Sequence, residues 1–217
     1  MKDALLVLSG GLDSTTMLYE YQHRIALAIS FHYGSNHNER ELSFAQLHCE
    51  RLGIPHKVIH LPFFKELFHS SLLEGAEAIP EGDYKEENMR STVVPFRNGI
   101  MLSIAAGVAE NEKLPYIMLA NHGGDHTIYP DCRADFVDAM NKAVHFGTWN
   151  GVQLLTPYTH LTKAEIALYG YIFAYTKLPV EFINENSEDF EKSQLAANVL
   201  AHAILGEKNE YISGNNK

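Results

Sequence analysis

The sequence predicts an α/β domain: a mostly parallel sheet with helices on both faces. Three observations predict it. Short apolar runs of strand length alternate with segments of helical spacing through most of the 217 residues. The runs are nearly all apolar, as strands covered on both faces require. A glycine-rich turn joins the first run directly to the first helix, at the strand end where such sheets bind ligands.

Taken in order, Ala4–Leu8 is a short apolar strand, and Asp13–Glu20 reads as the helix after it. Arg24–His32 is a second buried strand. Glu39–Leu52 is helical, with Leu42, Ala45, Leu47 and Leu52 on a rough three-to-four spacing and Gly53 at its C-terminal stop. Lys57–Leu61 is a third strand. Phe63–Glu87 is polar and irregular, with short helical pieces. Arg97–Asn111, rich in Ala, Ile and Leu, is a helix, and Tyr116–Ala120 a further short strand. Asp135–Phe146 is helical, Val152–Thr156 extended, and Lys163–Tyr169 helical. In the tail Ser187 caps a helix whose apolar face holds Phe190, Leu195, Val199, Leu200 and Ile204, with Gly206 as its stop. The division expected is one α/β domain over residues 1–168 and a mainly helical region over 169–217.

Composition narrows the function classes. Hydrophobic residues make up 46% and charged residues 20%, which argues for a packed core and against disorder. No apolar run reaches the roughly 18–20 residues needed to span a bilayer. The apolar stretch Ala4–Leu8 is too short for a signal-peptide core, so a cytoplasmic protein is expected. The formal charge of −10, with no basic stripe, counts against a polymeric nucleic acid as partner. Two cysteines, Cys49 and Cys132, exclude a closed Cys-rich zinc site within one chain. His32, His37, His122, His126, His145 and His160 show no compact ligand spacing, so no dedicated histidine metal site is expected.

The chemistry is concentrated in Leu8–Leu18, which reads Leu8-Ser9-Gly10-Gly11-Leu12-Asp13-Ser14-Thr15-Thr16-Met17-Leu18. Glycines let the backbone turn sharply and offer bare amides, and the helix N-terminus adds partial positive charge. Ser9, Ser14 and Thr15 supply further donors. The Gly-Lys-Ser/Thr ending of a Walker loop is absent, so transfer of a γ-phosphate is not the natural reading. A cradle for the pyrophosphate half of ATP is, with cleavage between the α and β phosphates leaving AMP on an acid substrate. Asp13 beside phosphates implies work through Mg²⁺, or a loop cap.

Ser9-Gly10-Gly11-Leu12-Asp13-Ser14 resembles the signature of the PP-loop ATP pyrophosphatases. Val94-Pro95-Phe96-Arg97-Asn98 and Tyr129-Pro130-Asp131-Cys132-Arg133 resemble two blocks that mark the 7-cyano-7-deazaguanine synthases of queuosine biosynthesis. Thr156-Pro157 and Leu161-Thr162-Lys163-Ala164-Glu165-Ile166 are similar to them as well. The likeness runs in order over about residues 3–168. It implies a soluble homodimer that turns 7-carboxy-7-deazaguanine and ammonia into the nitrile with ATP and Mg²⁺.

On that resemblance Asp13, Arg97, Asn98, Asp131, Arg133 and Lys163 are the catalytic candidates. Arg97, Asp125, Tyr129, Asp131 and Arg133 are the substrate contacts. Arg97 can clamp phosphate or carboxylate through two N–H groups. Asn98 either orients the same groups or caps its helix. Asp131 can accept from the guanidine edge of a deazaguanine, and Arg133 can bind a carboxylate or phosphate. Asp125 either holds Mg²⁺ or substrate, or forms a turn. Lys163 can neutralise the departing AMP or pyrophosphate. Cys132 is read as a small buried residue.

The pattern breaks after the last of these segments. The synthases carry a four-cysteine zinc site there, and this sequence has no cysteine after Cys132, so zinc is not expected. The residues leave the product open between nitrile, amide and a conjugate, and leave a nucleotide-binding module without catalysis as a further reading.

Overall fold

The computed structural model describes residues 2–73, 91–122 and 129–176, with side chains as far as residue 170. The expected positions of Asp125 and of the tail helix lie outside the described residues. In chain order the elements are β1 (Ala4–Val7), α1 (Leu12–Glu20), β2 (Ile25–His32), α2 (Asn38–Leu52), β3 (His56–His60), α3 (Phe63–Leu67), α4 (Arg97–Asn111), β4 (Tyr116–Met118), a 3₁₀ turn (Pro130–Cys132), α5 (Ala134–Gly147), β5 (Gln153–Leu155) and α6 (Lys163–Thr176).

The five strands form one sheet in the order β3-β2-β1-β4-β5, and every pairing is parallel. The central strand shows why both faces are apolar. Leu5 points into one core layer with Leu27, Ile29, Met101, Leu102, Ala105 and Val144, so α4 and α5 cover that face. Ala4, Leu6 and Leu8 point into the other with Met17, Leu18, Ala45, Cys49 and Ile166, so α1, α2 and α6 cover this one. Side chains alternate across a strand, and both sets here are hydrophobic.

Helix ends follow local chemistry. Gly53 closes α2 with φ 62°, its N–H returning to the carbonyls of Cys49 and Glu50. At the start of α6, the Thr162 N–H and hydroxyl donate to Glu165 Oε2 at 2.7 and 2.8 Å, and the Glu165 N–H returns to Thr162 Oγ1 at 3.3 Å. This is a reciprocal capping box. Helices α1 and α6 approach closely at Gly170, where a Cβ would lie 2.5 Å from Thr16 Oγ1.

Residues 63–73 are more ordered than the polar reading of Phe63–Glu87 implies. Phe64 is fully buried, and its ring packs on Tyr33, Phe63 and Phe68 with centroids 5.0–5.6 Å apart. Three phenylalanines within six residues supply the apolar area that pins the segment. The chain then lies along the β2–α2 loop, where the Asn36 N–H meets Leu72 O at 3.0 Å. Residues 74–90 lie outside the description.

Candidate active site

Strand β1 ends at Val7, and Leu8–Gly11 turns from the sheet into α1. Gly10 makes the turn possible. Its φ is 88°, and a Cβ there would fall 2.0 Å from the carbonyl oxygen of Glu41 and 3.2 Å from the Ala45 nitrogen. The loop therefore lies flat on the backbone of α2, an approach open to glycine alone. Gly11 sits at the N-cap of α1 with extended backbone. Ser9 Oγ accepts from the Gly11 N–H at 3.1 Å and lies 3.0 Å from Ser14 Oγ. Ser14 Oγ accepts from the Ser9 N–H at 3.2 Å. Amides and hydroxyls thus converge at a helix N-terminus, the arrangement that holds phosphate oxygens.

The loop borders a cavity of about 340 Å³. That is the size range of small-molecule sites. From the 8–18 run, Leu8, Ser9, Gly11, Asp13 and Ser14 line it. Met17 and Leu18 are fully buried in the core behind, as is nearly all of Thr16. The sheet order explains the position. The chain runs from β1 outward to β2 and β3 on one side, then crosses back to β4 and β5 on the other. The crevice between the carboxyl ends of β1 and β4 is the topological switch point.

The β4 side brings Leu119, Ala120 and Asn121 to the cavity. Asp13 Oδ2 lies 3.5 Å from His122 Nε2 and 3.7 Å from Lys163 Nζ. The Lys163 side chain is 63% exposed and reaches Asp13 from the start of α6. Asp13 Oδ1, Thr15 Oγ1 and both polar atoms of the Asn121 carboxamide are buried with no hydrogen-bond partner among the described residues. Orphaned polar atoms each cost about 1–3 kcal/mol, so those of Asp13 and Asn121, which both line the cavity, mark a place built for something polar.

The third wall comes from the two sequence blocks. Phe96 adopts φ 51°, unusual for a residue with a side chain, and its ring packs over Gly99, where a Cβ would meet it at 2.3 Å. This bend starts α4 and delivers Arg97 and Asn98 to the cavity. Arg97 Nη1 donates to the Tyr33 hydroxyl at 3.3 Å, and its guanidinium lies 5.8 Å from the centre of that ring. Burial pulls the Arg97 pKa down, but the Tyr33 hydroxyl and the charge of Asp131 outweigh it, and the group stays a cation.

Asp131 is buried behind the cavity. Its Oδ2 accepts from the Asn98 N–H at 2.8 Å, while Asn98 Nδ2 donates to Asp131 O and Cys132 Sγ, both at 3.2 Å. The carboxylate thus caps α4 and clamps the two blocks together. Cys132 and Asn98 line the cavity; Tyr129, Asp131 and Arg133 do not. The Tyr129 hydroxyl lies 3.3 Å from Thr92 Oγ1, and Arg133 is an exposed residue at the N-cap of α5.

The β2–α2 wall carries no motif in the sequence: Tyr33, Ser35, His37, Asn38 and Glu41 all line the cavity. Asn38 organises it. Its Oδ1 accepts from the N–H groups of Tyr33 and Ser35 at 2.9 and 3.0 Å, and its Nδ2 donates to Phe31 O at 3.1 Å. Burial pushes the Glu41 carboxyl up from its ordinary pKa, against the opposing pull of His37 and Arg97. The available signal was positional: Tyr33-Gly34-Ser35 follows a buried strand at the end where the site must lie.

A family model described as "Queuosine biosynthesis protein QueC" matches residues 3–180. The chain belongs to the QueC family. The QueC match covers every residue of the cavity and continues past the end of α6. Among curated relatives, the 7-cyano-7-deazaguanine synthase of Porphyromonas gingivalis is 60% identical over 169 residues, 78% of this chain and 77% of its own. Those of Desulfotalea psychrophila and Methanoregula boonei are 52% and 46% identical, with 77–78% of each chain covered. Among solved structures, an NMN synthetase from Francisella tularensis overlaps 96% of this chain and 79% of its own at TM-score 0.48 and 13% identity, too distant to bear on the chemistry. Among the described residues of this QueC-family chain, no helix is long and apolar enough to cross a membrane.

Proposed function

We propose that this chain converts 7-carboxy-7-deazaguanine and ammonia to 7-cyano-7-deazaguanine, using two molecules of ATP. The observation that carries the reading is the meeting in one cavity of the phosphate loop, Arg97 and Asn98 of the first block, and Cys132 of the second. The shared name of the relatives supplies the product.

The carboxylate oxygen of the substrate attacks the α-phosphorus of ATP and pyrophosphate leaves. Ammonia attacks the acyl carbon, AMP leaves, and a proton is lost to give the amide. The amide oxygen then attacks a second ATP, pyrophosphate leaves again, and loss of AMP with the remaining N–H protons gives the nitrile. Little of this needs a protein nucleophile, which suits a site whose cysteine is buried at 6% exposure. It needs positioning and charge stabilisation. The amides and hydroxyls of Ser9–Ser14 receive the β and γ phosphates. Arg97 faces the negative charge that builds on the acid and the α-phosphate. Lys163, on the solvent side of Asp13, receives the departing anion.

The buried, unpartnered Asp13 Oδ1 beside the loop fits a hard oxygen-ligated cation, so Asp13 would hold Mg²⁺, which neutralises phosphate charge when bound. Asp131 and Arg133 stand in the same proposal as substrate contacts, with Asp131 acting in addition through Asn98. Tyr129 and Asp125 complete the proposed substrate set. A cytoplasmic homodimer follows from the family resemblance, and sedimentation at micromolar concentration tests the dimer.

The test is one incubation of purified protein with the acid, ammonia, Mg²⁺ and ATP, followed by mass spectrometry. The nitrile is expected. Accumulation of the amide would instead make the chain an amide-forming ligase, and absence of AMP a nucleotide-binding module.

A further inference from the structure

We propose that Ser30 and His56 are positioning residues for the phosphate loop, acting through the peptide plane between Leu8 and Ser9. The proposal rests on the reading of that loop as a pyrophosphate cradle. Neither residue borders the cavity. Ser30 lies near the carboxyl end of β2 and is fully buried, and His56 opens β3.

The parallel ladder between β1 and β2 reaches its last main-chain bond at Leu8, whose N–H donates to Ile29 O at 2.8 Å. The Leu8 carbonyl is held differently. Ser30 Oγ donates to it at 2.6 Å, and the same oxygen lies 2.7 Å from His56 Nε2. A serine hydroxyl has one proton, and here it goes to Leu8 O. His56 Nε2 must therefore carry the proton of the second bond and donate it to Ser30. Burial pushes the pKa of His56 down, which favours the neutral ring, and the bond to Ser30 places its one N–H on Nε2.

A trans peptide is planar, and its C=O and N–H point in opposite directions. Fixing the Leu8 carbonyl toward Ser30 therefore fixes the Ser9 N–H on the other side of the same plane. That N–H is the first amide of the cradle, and it points at Ser14 Oγ at 3.2 Å. Glycines at the next two positions give this plane little stiffness of its own, because their backbone permits many orientations. The clamp supplies what the glycines remove. His56 completes it by holding the Ser30 hydroxyl in the rotamer that reaches Leu8.

The experiment measures binding of inorganic pyrophosphate by calorimetry, with the separate KM values for ATP and for the carboxy-deazaguanine. Ser30→Ala is expected to weaken pyrophosphate binding and raise the KM for ATP by about tenfold, the equivalent of one well-made buried hydrogen bond. The KM for the acid stays within about twofold. Ser30→Thr, which keeps the hydroxyl, restores the ATP values. His56→Ala moves them the same way by a smaller factor. His56→Gln, which places an N–H near the position of Nε2, restores them. A loss of stability alone would shift no KM selectively. The proposal is overturned if Ser30→Ala binds pyrophosphate as the wild type does, if both KM values rise together, or if neither Thr nor Gln restores binding. Should Ser30→Ala fail to fold by circular dichroism, the His56→Ala and His56→Gln pair decides on the same readouts. Wild-type protein that binds no pyrophosphate would sink the cradle itself, and the proposal with it.

Discussion

Replacing Gly10 by alanine isolates what the phosphate loop demands of the fold. The added methyl falls 2.0 Å from the Glu41 carbonyl oxygen and 2.7 Å from its carbon. Both are backbone atoms in the first turn of α2, so no side chain can swing aside. The φ of 88° adds strain of about 1–2 kcal/mol for a residue with a Cβ. Forcing a methyl into a packed contact adds about 1–3 kcal/mol. A total near 3 kcal/mol lowers the melting temperature of a domain this size by about 6–12 °C. The damage is directional as well: separating the loop from α2 splays the amides, so AMP release falls more steeply than stability. Gly11→Ala is the internal control. Its φ is −75°, and the nearest atoms to its Cβ are the Ser9 hydroxyl at 3.3 Å and the end of the Glu41 side chain at 3.8 Å. It should cost below about 1 kcal/mol in stability. Differential scanning calorimetry and an ATP-dependent AMP-release assay on both variants test the contrast. A Gly10→Ala protein that melts with the wild type, or a Gly11→Ala protein that is the less stable of the two, would show that the contact with α2 does not constrain the loop.

Further outcomes follow from the same geometry. Asp13→Ala abolishes AMP formation while leaving the fold intact by circular dichroism; near-normal turnover would remove the loop from the chemistry. Tyr158→Phe deletes the hydroxyl of a fully buried ring that donates to the half-buried Glu20 Oε2 at 2.6 Å. It leaves that carboxylate short of a donor and lowers stability by about 2 kcal/mol, readable in denaturant midpoints. Asp3 accepts two hydrogen bonds from the Arg24 guanidinium at 3.0 and 2.9 Å, which hold its carboxyl below the usual carboxylate range. A depressed folded-state pKa stabilises the protein at pH values above the unfolded value of about 4, and the contribution is lost as the pH falls through the lower folded value. Asp3→Asn should therefore flatten the acid limb of a stability profile and leave it parallel to wild type above about pH 5; unchanged curvature below pH 4 would contradict the pairing.

Much of this site was legible because its chemistry is local. A strand, two glycines, two hydroxyls and an acid in sequence require only one turn to bring amides and hydroxyls together at a helix N-terminus, and α4 begins at Arg97 where Pro95 and the bend at Phe96 allow it. What was not legible depends on residues distant in sequence. Tyr33, Ser35 and Glu41 carry no motif of their own, and they reach the cavity because β2 pairs beside β1 in parallel register. The tie between Asp131 and the Asn98 N–H spans thirty-three positions and has no signal in either block alone. The strands at β1 and β4 stop short of the apolar runs that predict them. Leu8, Leu119 and Ala120 are hydrophobic enough to read as strand, yet they form the floor of the cavity instead. Hydropathy records burial, and it does not distinguish a sheet from a wall behind a ligand.

The ratio of AMP to nitrile in a complete reaction tests the double adenylation itself. Adenylation of the acid and then of the amide oxygen in one site gives two AMP and two pyrophosphate for each 7-cyano-7-deazaguanine. One AMP for each molecule of amide, or release of ADP and phosphate in place of AMP and pyrophosphate, would contradict the account.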